Sequence, residues 1–192
     1  MKKPVLKIQY DSPVILTFAL LSLFALLLNG WTDGWSNTAV FSVYRSSLTD
    51  PLTYVRMFCH VLGHSDFSHF VSNICLFLVI GPIVERHYGS INLLISMLIT
   101  ALVSGIIHFV FFPGYALLGA SGIVFMLIFL SSISGIQKGC IPVTLILVAI
   151  LYLGQEIYDM VTLSDNISQL THIIGGVCGI VCGAVTSGKR KR

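Results

Sequence analysis

The sequence predicts an all-α fold, a polytopic membrane protein built as a six-helix bundle, and three observations carry that expectation. Of the 192 residues, 55% are hydrophobic and only 10% are charged, far below the roughly 25% charged of an average soluble domain. Apolar runs recur along the chain at about the 20 residues a helix needs to cross the hydrocarbon core. Threading those runs alternately inward and outward gathers the cations on one side.

The runs fall at about 13–29, 68–86, 91–112, 117–136, 142–158 and 167–187. Lys2, Lys3 and Lys7 precede the first, as in a signal peptide, but Asn29, Gly30 and Trp31 follow Leu28 where small cleavage-site residues would stand. A retained first helix is therefore expected. The second run opens on polar residues, the fourth holds Gly119, Ser121 and Gly122, and the sixth holds His172. Those three are expected to face protein or a cavity on one side rather than lipid all round.

Charge sets the expected orientation. With both termini cytoplasmic, the inner side collects Lys2, Lys3, Lys7, Arg86, Lys138, Lys189, Arg190, Lys191 and Arg192, nine of the eleven cations, leaving Arg45 and Arg56 outside. The expected organisation is a cytoplasmic tail over 1–12, a membrane domain over 13–187 and a basic cytoplasmic tail over 188–192. Membrane lipids are the expected surroundings, and no nucleic-acid partner is expected. Oligomeric state is not legible.

Connections are short except the outer one from Gly30 to Phe67, which contains Trp31, Trp35 and Pro51. A loop of that length in a compact domain is usually functional, and its tryptophans suit the headgroup level. The five cysteines, Cys59, Cys75, Cys140, Cys178 and Cys182, are odd in number, show no CxxC pairing and read as small packing residues.

Strongly polar groups inside spans are costly and call for a functional partner. His69 and Asn73 stand near the start of the second span, Ser121 near the start of the fourth and His172 near the start of the sixth, and all three helices run inward. At 1.5 Å per residue, counting from the run boundaries puts Asn73, Ser121 and His172 at depths that agree within roughly 6 Å. His69 and Asn73, spaced i, i+4, share a face. Such a layer suits acyl transfer: a serine activated by imidazole as general base, which later protonates the leaving amine. His69, Asn73 and the Ser121 backbone N–H are the candidate oxyanion donors, a kind of group worth about 3–4 kcal/mol each.

Glycines support this geometry. Gly119, Ala120 and Gly122 leave the approach to Ser121 free of side-chain bulk, while Gly175, Gly179 and Gly183 form a small-xxx-small stripe after His172 that favours close contact between two membrane helices. His60, His64 and His69 read less well as metal ligands, because no carboxylate completes an HExxH-type site. No metal or cofactor is expected. His64 reads as a hydrogen-bonder at the loop–helix junction, His108 as interhelical, His87 as an inner-surface residue, and Glu156 and Asp159 as solvated edge residues.

Several motifs together resemble those of the rhomboid intramembrane serine proteases. His60, His64, His69 and Asn73 match the spacing H-x3-H-x4-H-x3-N. Gly119-Ala120-Ser121-Gly122 resembles the family's G-x-S-G nucleophile motif. His172, Gly175 and Gly179 resemble its H-x2-G-x3-G, and Glu85-Arg86 with Gly89 resembles the inner end of its second helix. The resemblance implies Ser121 as nucleophile, His172 as general base and His69 and Asn73 as oxyanion donors, in a dyad without metal. It further implies water reaching the site from the outer side and a transmembrane-protein substrate that enters laterally and unwinds. The short tails resemble the minimal prokaryotic form, in a plasma membrane.

Two departures bear on rate and substrate preference. Phe125 stands where well-known bacterial members have a tyrosine stacked on the histidine, and Val55-Arg56 stands where a Trp-Arg pair is expected. Two other readings compete with a protease: a silent client-binding member of the same fold, and a small transporter or channel using His69 and His172 as relays. A transporter predicts polar groups at several depths, whereas these are confined to one outer layer.

Overall fold

The computed structural model describes residues 9–134, 140, 143–148, 150, 151, 154 and 167–189. The described elements are α1 (Pro13–Trp31), α2 (Pro51–Cys59), α3 (Phe67–Tyr88), α4 (Ser90–Phe111), α5 (Ser121–Ile133), α6 (Val143–Val148) and α7 (Ile167–Lys189), with a π turn at Asn37–Phe41 and a 3₁₀ turn at His60–Leu62. The architecture is helical throughout, and α1, α3, α4 and α7 are each long and apolar enough to cross a membrane. The protein is an integral, multi-pass membrane protein. Of the expected fifth span over 142–158, residues 142, 149, 152, 153 and 155–158, Glu156 among them, lie outside the described residues, as do Lys138 and Asp159.

Helix boundaries follow local chemistry. Asp50 caps α2, its side chain accepting from the Leu52 N–H, and Pro51 supplies a φ suited to the first turn. Asp66 caps α3 by accepting from the His69 N–H at 2.8 Å. Gly89, at φ 81°, ends α3 and starts α4 in one residue, a left-handed conformation that favours glycine.

Glu85, buried at the end of α3, accepts from the N–H groups of Val14 and Ile15, each at 3.1 Å, and from the Ser90 hydroxyl at 2.7 Å. The carboxylate thus satisfies orphan donors at the N-terminus of α1, where the helix dipole also favours negative charge. Beside it, Arg86 pairs with Asp11 at 3.1 Å. The two residues bind the C-terminal end of α3 to the start of α1.

The 117–136 run departs from expectation. Its helix begins at Ser121, and the preceding Leu117 forms an antiparallel bridge with Val43, with both backbone bonds at 2.9 Å. Hydropathy registers the apolar Leu117 and Leu118 but not the backbone, which Gly119 turns out of helical space at φ 133°. At 1.5 Å per residue, the 13 residues of α5 span about 20 Å, short of a full crossing. Ser121 is therefore the first residue of its helix, not one turn into it. Non-helical backbone at such depth is tolerated where it is buried or lines a cavity.

The glycine stripe of α7 packs on α5. A Cβ at Gly175 would run into the Gly122 carbonyl, one at Gly179 into the Met126 carbonyl, and one at Gly183 would come within 2.9 Å of Ile133. Backbone-to-backbone approach is what the small-xxx-small pattern permits. α5 is the central helix, with every residue from Gly122 to Leu130 buried.

The long loop between α1 and α3 is organised around Arg56. It is 6% exposed, donates from Nε to the Ala39 carbonyl at 2.9 Å, pairs with Asp50 at 3.1 Å and lies 4.9 Å from the centre of the Tyr44 ring. Leu52, Tyr54, Val55 and Phe58 of α2 are exposed, as are Trp31 and Trp35. Val55 thus faces outward while its neighbour Arg56 holds the loop together.

Candidate active site

A cavity of about 350 Å³ opens between α3, α5 and α7, lined by His69, Ser72, Asn73, Leu76, Leu117, Leu118, Ser121, Val124, Phe125 and His172. The four polar residues singled out in the sequence therefore meet in one place. Ser121 stands at the first position of α5, where the first helical bond runs from the Val124 N–H to the Ala120 carbonyl. The N–H groups of residues 121–123 belong to the open first turn, where a helix offers its positive end.

His172 is held flat. The Phe125 ring stacks on its imidazole with centroids 4.3 Å apart and planes 3° from parallel. The phenylalanine that replaces tyrosine keeps the stacking surface. Gly119 comes close to His69: a Cβ there would stand 2.9 Å from Nε2. Both its positive φ and this contact require glycine.

His69 Nδ1 meets the Ser65 hydroxyl at 3.2 Å, and that hydroxyl donates to Asp66 at 2.7 Å. With its proton committed to the carboxylate, Ser65 accepts at Nδ1–H, leaving Nε2 on the side of Gly119 and the cavity. Asn73 Nδ2 donates to the His69 carbonyl at 3.0 Å. The amide has a second N–H for the cavity. The N–H of His69 and the Ser65 hydroxyl hold the Asp66 carboxyl below its usual range.

His64 underpins His69 from behind. It is wholly buried, donates from Nδ1 to the Leu62 carbonyl at 3.1 Å and stands edge-on to the His69 ring at 5.1 Å. Its own carbonyl accepts from Asn37 at 2.9 Å. Burial pushes both His64 and His60 down to about 4, so both are neutral at physiological pH. His108 differs from expectation: instead of joining two helices, it donates from Nε2 to the Tyr115 carbonyl in the segment after its own helix, at 3.0 Å.

Sequence reading missed Ser72, Leu76 and the 117–118 segment. The first two were accessible, since 69, 72, 73 and 76 follow i, i+3, i+4, i+7 and share one face of α3. The third was not, because nothing in the composition marks residues 117–118 as non-helical.

A family model for the rhomboid domain matches residues 51–189, from α2 to the end of α7. The chain belongs to the rhomboid family. The chain is 29% identical over 112 residues to the rhomboid protease GluP of Bacillus subtilis, a match covering 58% of this chain and 22% of that protein. It is also 23% identical over 144 residues to the rhomboid protease GlpG of Haemophilus influenzae, covering 71% of each. The chain thus spans about a fifth of the first relative's length and about seven-tenths of the second's. The rhomboid match encloses every polar residue of the cavity.

Proposed function

We propose that this rhomboid-family chain is an intramembrane serine endopeptidase that cuts other membrane proteins in or near their transmembrane segments through a Ser121–His172 dyad. The observation that carries the reading is the convergence of Ser121, His172, His69 and Asn73 on one cavity, with Ser121 at a helix N-terminus. Both of these relatives are named rhomboid proteases, which supports intramembrane proteolysis in general.

In this reading Ser121 Oγ attacks the scissile carbonyl while His172 accepts the hydroxyl proton. His172 then passes that proton to the leaving amine, and the resulting acyl-enzyme is hydrolysed by water that His172 activates in turn. The oxyanion forms near the Ser121 N–H in the open turn of α5 and takes a further bond from the second N–H of Asn73. His69 contributes through Nε2, which carries a proton when the ring is an imidazolium or when the Ser65 hydroxyl turns to donate to Nδ1. Gly119 and Gly122 keep the approach open, and Gly175 and Gly179 bring α7 close enough to deliver His172.

The substrate is a transmembrane helix that unwinds to present an extended segment. The proposed setting is a bacterial plasma membrane with both termini cytoplasmic, the tails at 1–12 and 188–192 flanking the membrane domain and the outer loop resting at the headgroup level. The exposed Trp31, Trp35, Leu52 and Val55 suit that level. Cleavage of a reconstituted transmembrane reporter tests the proposal: wild type is expected to cut and Ser121→Ala to be silent, and a Ser121→Ala protein that still cuts would overturn it.

A further inference from the structure

The segment that delivers Ser121 leaves α4 at Phe112, turns at Pro113 and Gly114, where the Tyr115 N–H donates to the Phe112 carbonyl at 3.2 Å, and then runs without helical structure to Ala120. A chain without helical bonds needs its register supplied from outside. Three contacts supply it. The Leu117–Val43 bridge ties it to the outer loop, the Gly119 N–H donates to the His60 carbonyl at 2.9 Å, and His108 donates to the Tyr115 carbonyl at 3.0 Å.

The anchors behind two of these contacts lie on a single face of α4. The His60 ring is 1% exposed and donates from Nε2 to the Ala101 carbonyl at 3.1 Å. One turn on, Gly105 admits the backbone of Met57 so closely that a Cβ would stand 2.7 Å from its carbonyl oxygen. Just under one turn further, His108, 2% exposed, reaches Tyr115. Residues 101, 105 and 108 are spaced i, i+4, i+7 and face the same way. The same stripe of α4 therefore fixes both partners of the lead-in segment: the 57–60 stretch, which receives Gly119, and Tyr115 itself.

We infer that His108 and His60 are positioning residues for the nucleophile, clamping residues 115–119 against α4 so that Ser121 enters the cavity in register with His172. The inference rests on the protease reading for its catalytic consequence, but the clamp is a property of the backbone. His108 is the more informative of the two. Tyr115 is exposed and lies outside helical structure, so loss of the clamp loosens the segment with little effect on the fold. His60 is a core residue whose loss leaves a buried Ala101 carbonyl with fewer partners, and its variants are expected to unfold more readily.

The test compares wild type, His108→Leu and His108→Gln. Glutamine keeps an N–H at similar reach and leucine removes it. A misplacement of about 1 Å costs up to about 100-fold in rate, so His108→Leu is expected to lower kcat per folded molecule about tenfold or more while KM stays within about twofold. His108→Gln should recover most of that loss. Amide exchange across residues 113–120, read by mass spectrometry, should quicken in His108→Leu and stay near wild type in His108→Gln. Wild-type kcat in His108→Leu, equal damage in both variants, or unchanged exchange in His108→Leu would each overturn the inference. If wild type itself cuts nothing, the protease reading fails while exchange alone decides the clamp.

Discussion

Phe125 and His172 lie face to face, 4.3 Å between centroids and 3° from parallel, on two helices that touch backbone to backbone. Stacking of this kind contributes about 0.5–1.5 kcal/mol beyond the area buried, and here it sets the plane of the proposed general base. Phe125→Ala is expected to lower kcat on a transmembrane reporter about tenfold or more, since the imidazole loses its stop. Phe125→Tyr should stay within a few-fold of wild type, because the ring face is kept. Equal activity of Phe125→Ala and wild type would show that the stacking does not orient the base.

The contact that brings α7 to α5 has no room for a side chain at Gly175, where a Cβ would collide with the Gly122 carbonyl. Gly175→Val is expected to push the helices apart, lower the thermal midpoint and abolish turnover even at temperatures where the protein is folded. Gly30→Ala is the matched control, as nothing stands within 4 Å of its Cβ position. Comparable midpoints and rates for both variants would contradict the packing account.

Glu85 satisfies two N–H groups of α1 and one hydroxyl while buried. Bonds to a charged acceptor contribute about 1.5–3 kcal/mol each when removed singly, and they are not additive. Glu85→Ala is therefore expected to cost roughly 3 kcal/mol or more in equilibrium unfolding, with Glu85→Gln intermediate because one acceptor remains. Residual folded Glu85→Gln should retain near-normal kcat, since α1 does not line the cavity. An unfolding midpoint unchanged in Glu85→Ala would refute the capping role.

His60 and His64 make stability depend on pH. Burial holds both near 4, against 6.5 when exposed. Between those values the unfolded chain binds more protons than the folded one, so stability is full above about 6.5 and falls as pH drops toward 4. Complete titration is worth on the order of 3 kcal/mol per ring. Asp66, held low, keeps its contribution through this window and loses it only in stronger acid. Thermal midpoints at pH 7.5 and 5.0 provide the check: a lower midpoint at 5.0 is expected, and an equal or higher one would contradict neutral burial of the two rings.

How much of this could be read in advance depended on whether a residue's role follows from composition or from backbone conformation. α1, α3, α4 and α7 were legible because lipid imposes one solution on a long apolar run. His69 and Asn73 were legible from i, i+4 spacing, and the α7 stripe from its repeat of four. The start of α5 was not, since Leu117 and Leu118 are as apolar as the helix that follows and only the φ of Gly119 separates them. An imidazole at His108 in a span implies an interhelical partner, but the spacing does not say that the partner is a carbonyl seven residues on. Phe125 marked a departure in sequence, yet its ring keeps the face that matters.

The most direct test of the central claim is covalent labelling of the detergent-purified protein with a fluorophosphonate that reacts only with an activated serine. The expected result is stoichiometric labelling of wild type, lost in Ser121→Ala and strongly reduced in His172→Ala, with all three proteins folded. Folded wild type that takes no label, or a Ser121→Ala protein that labels as well as wild type, would contradict the Ser121–His172 dyad.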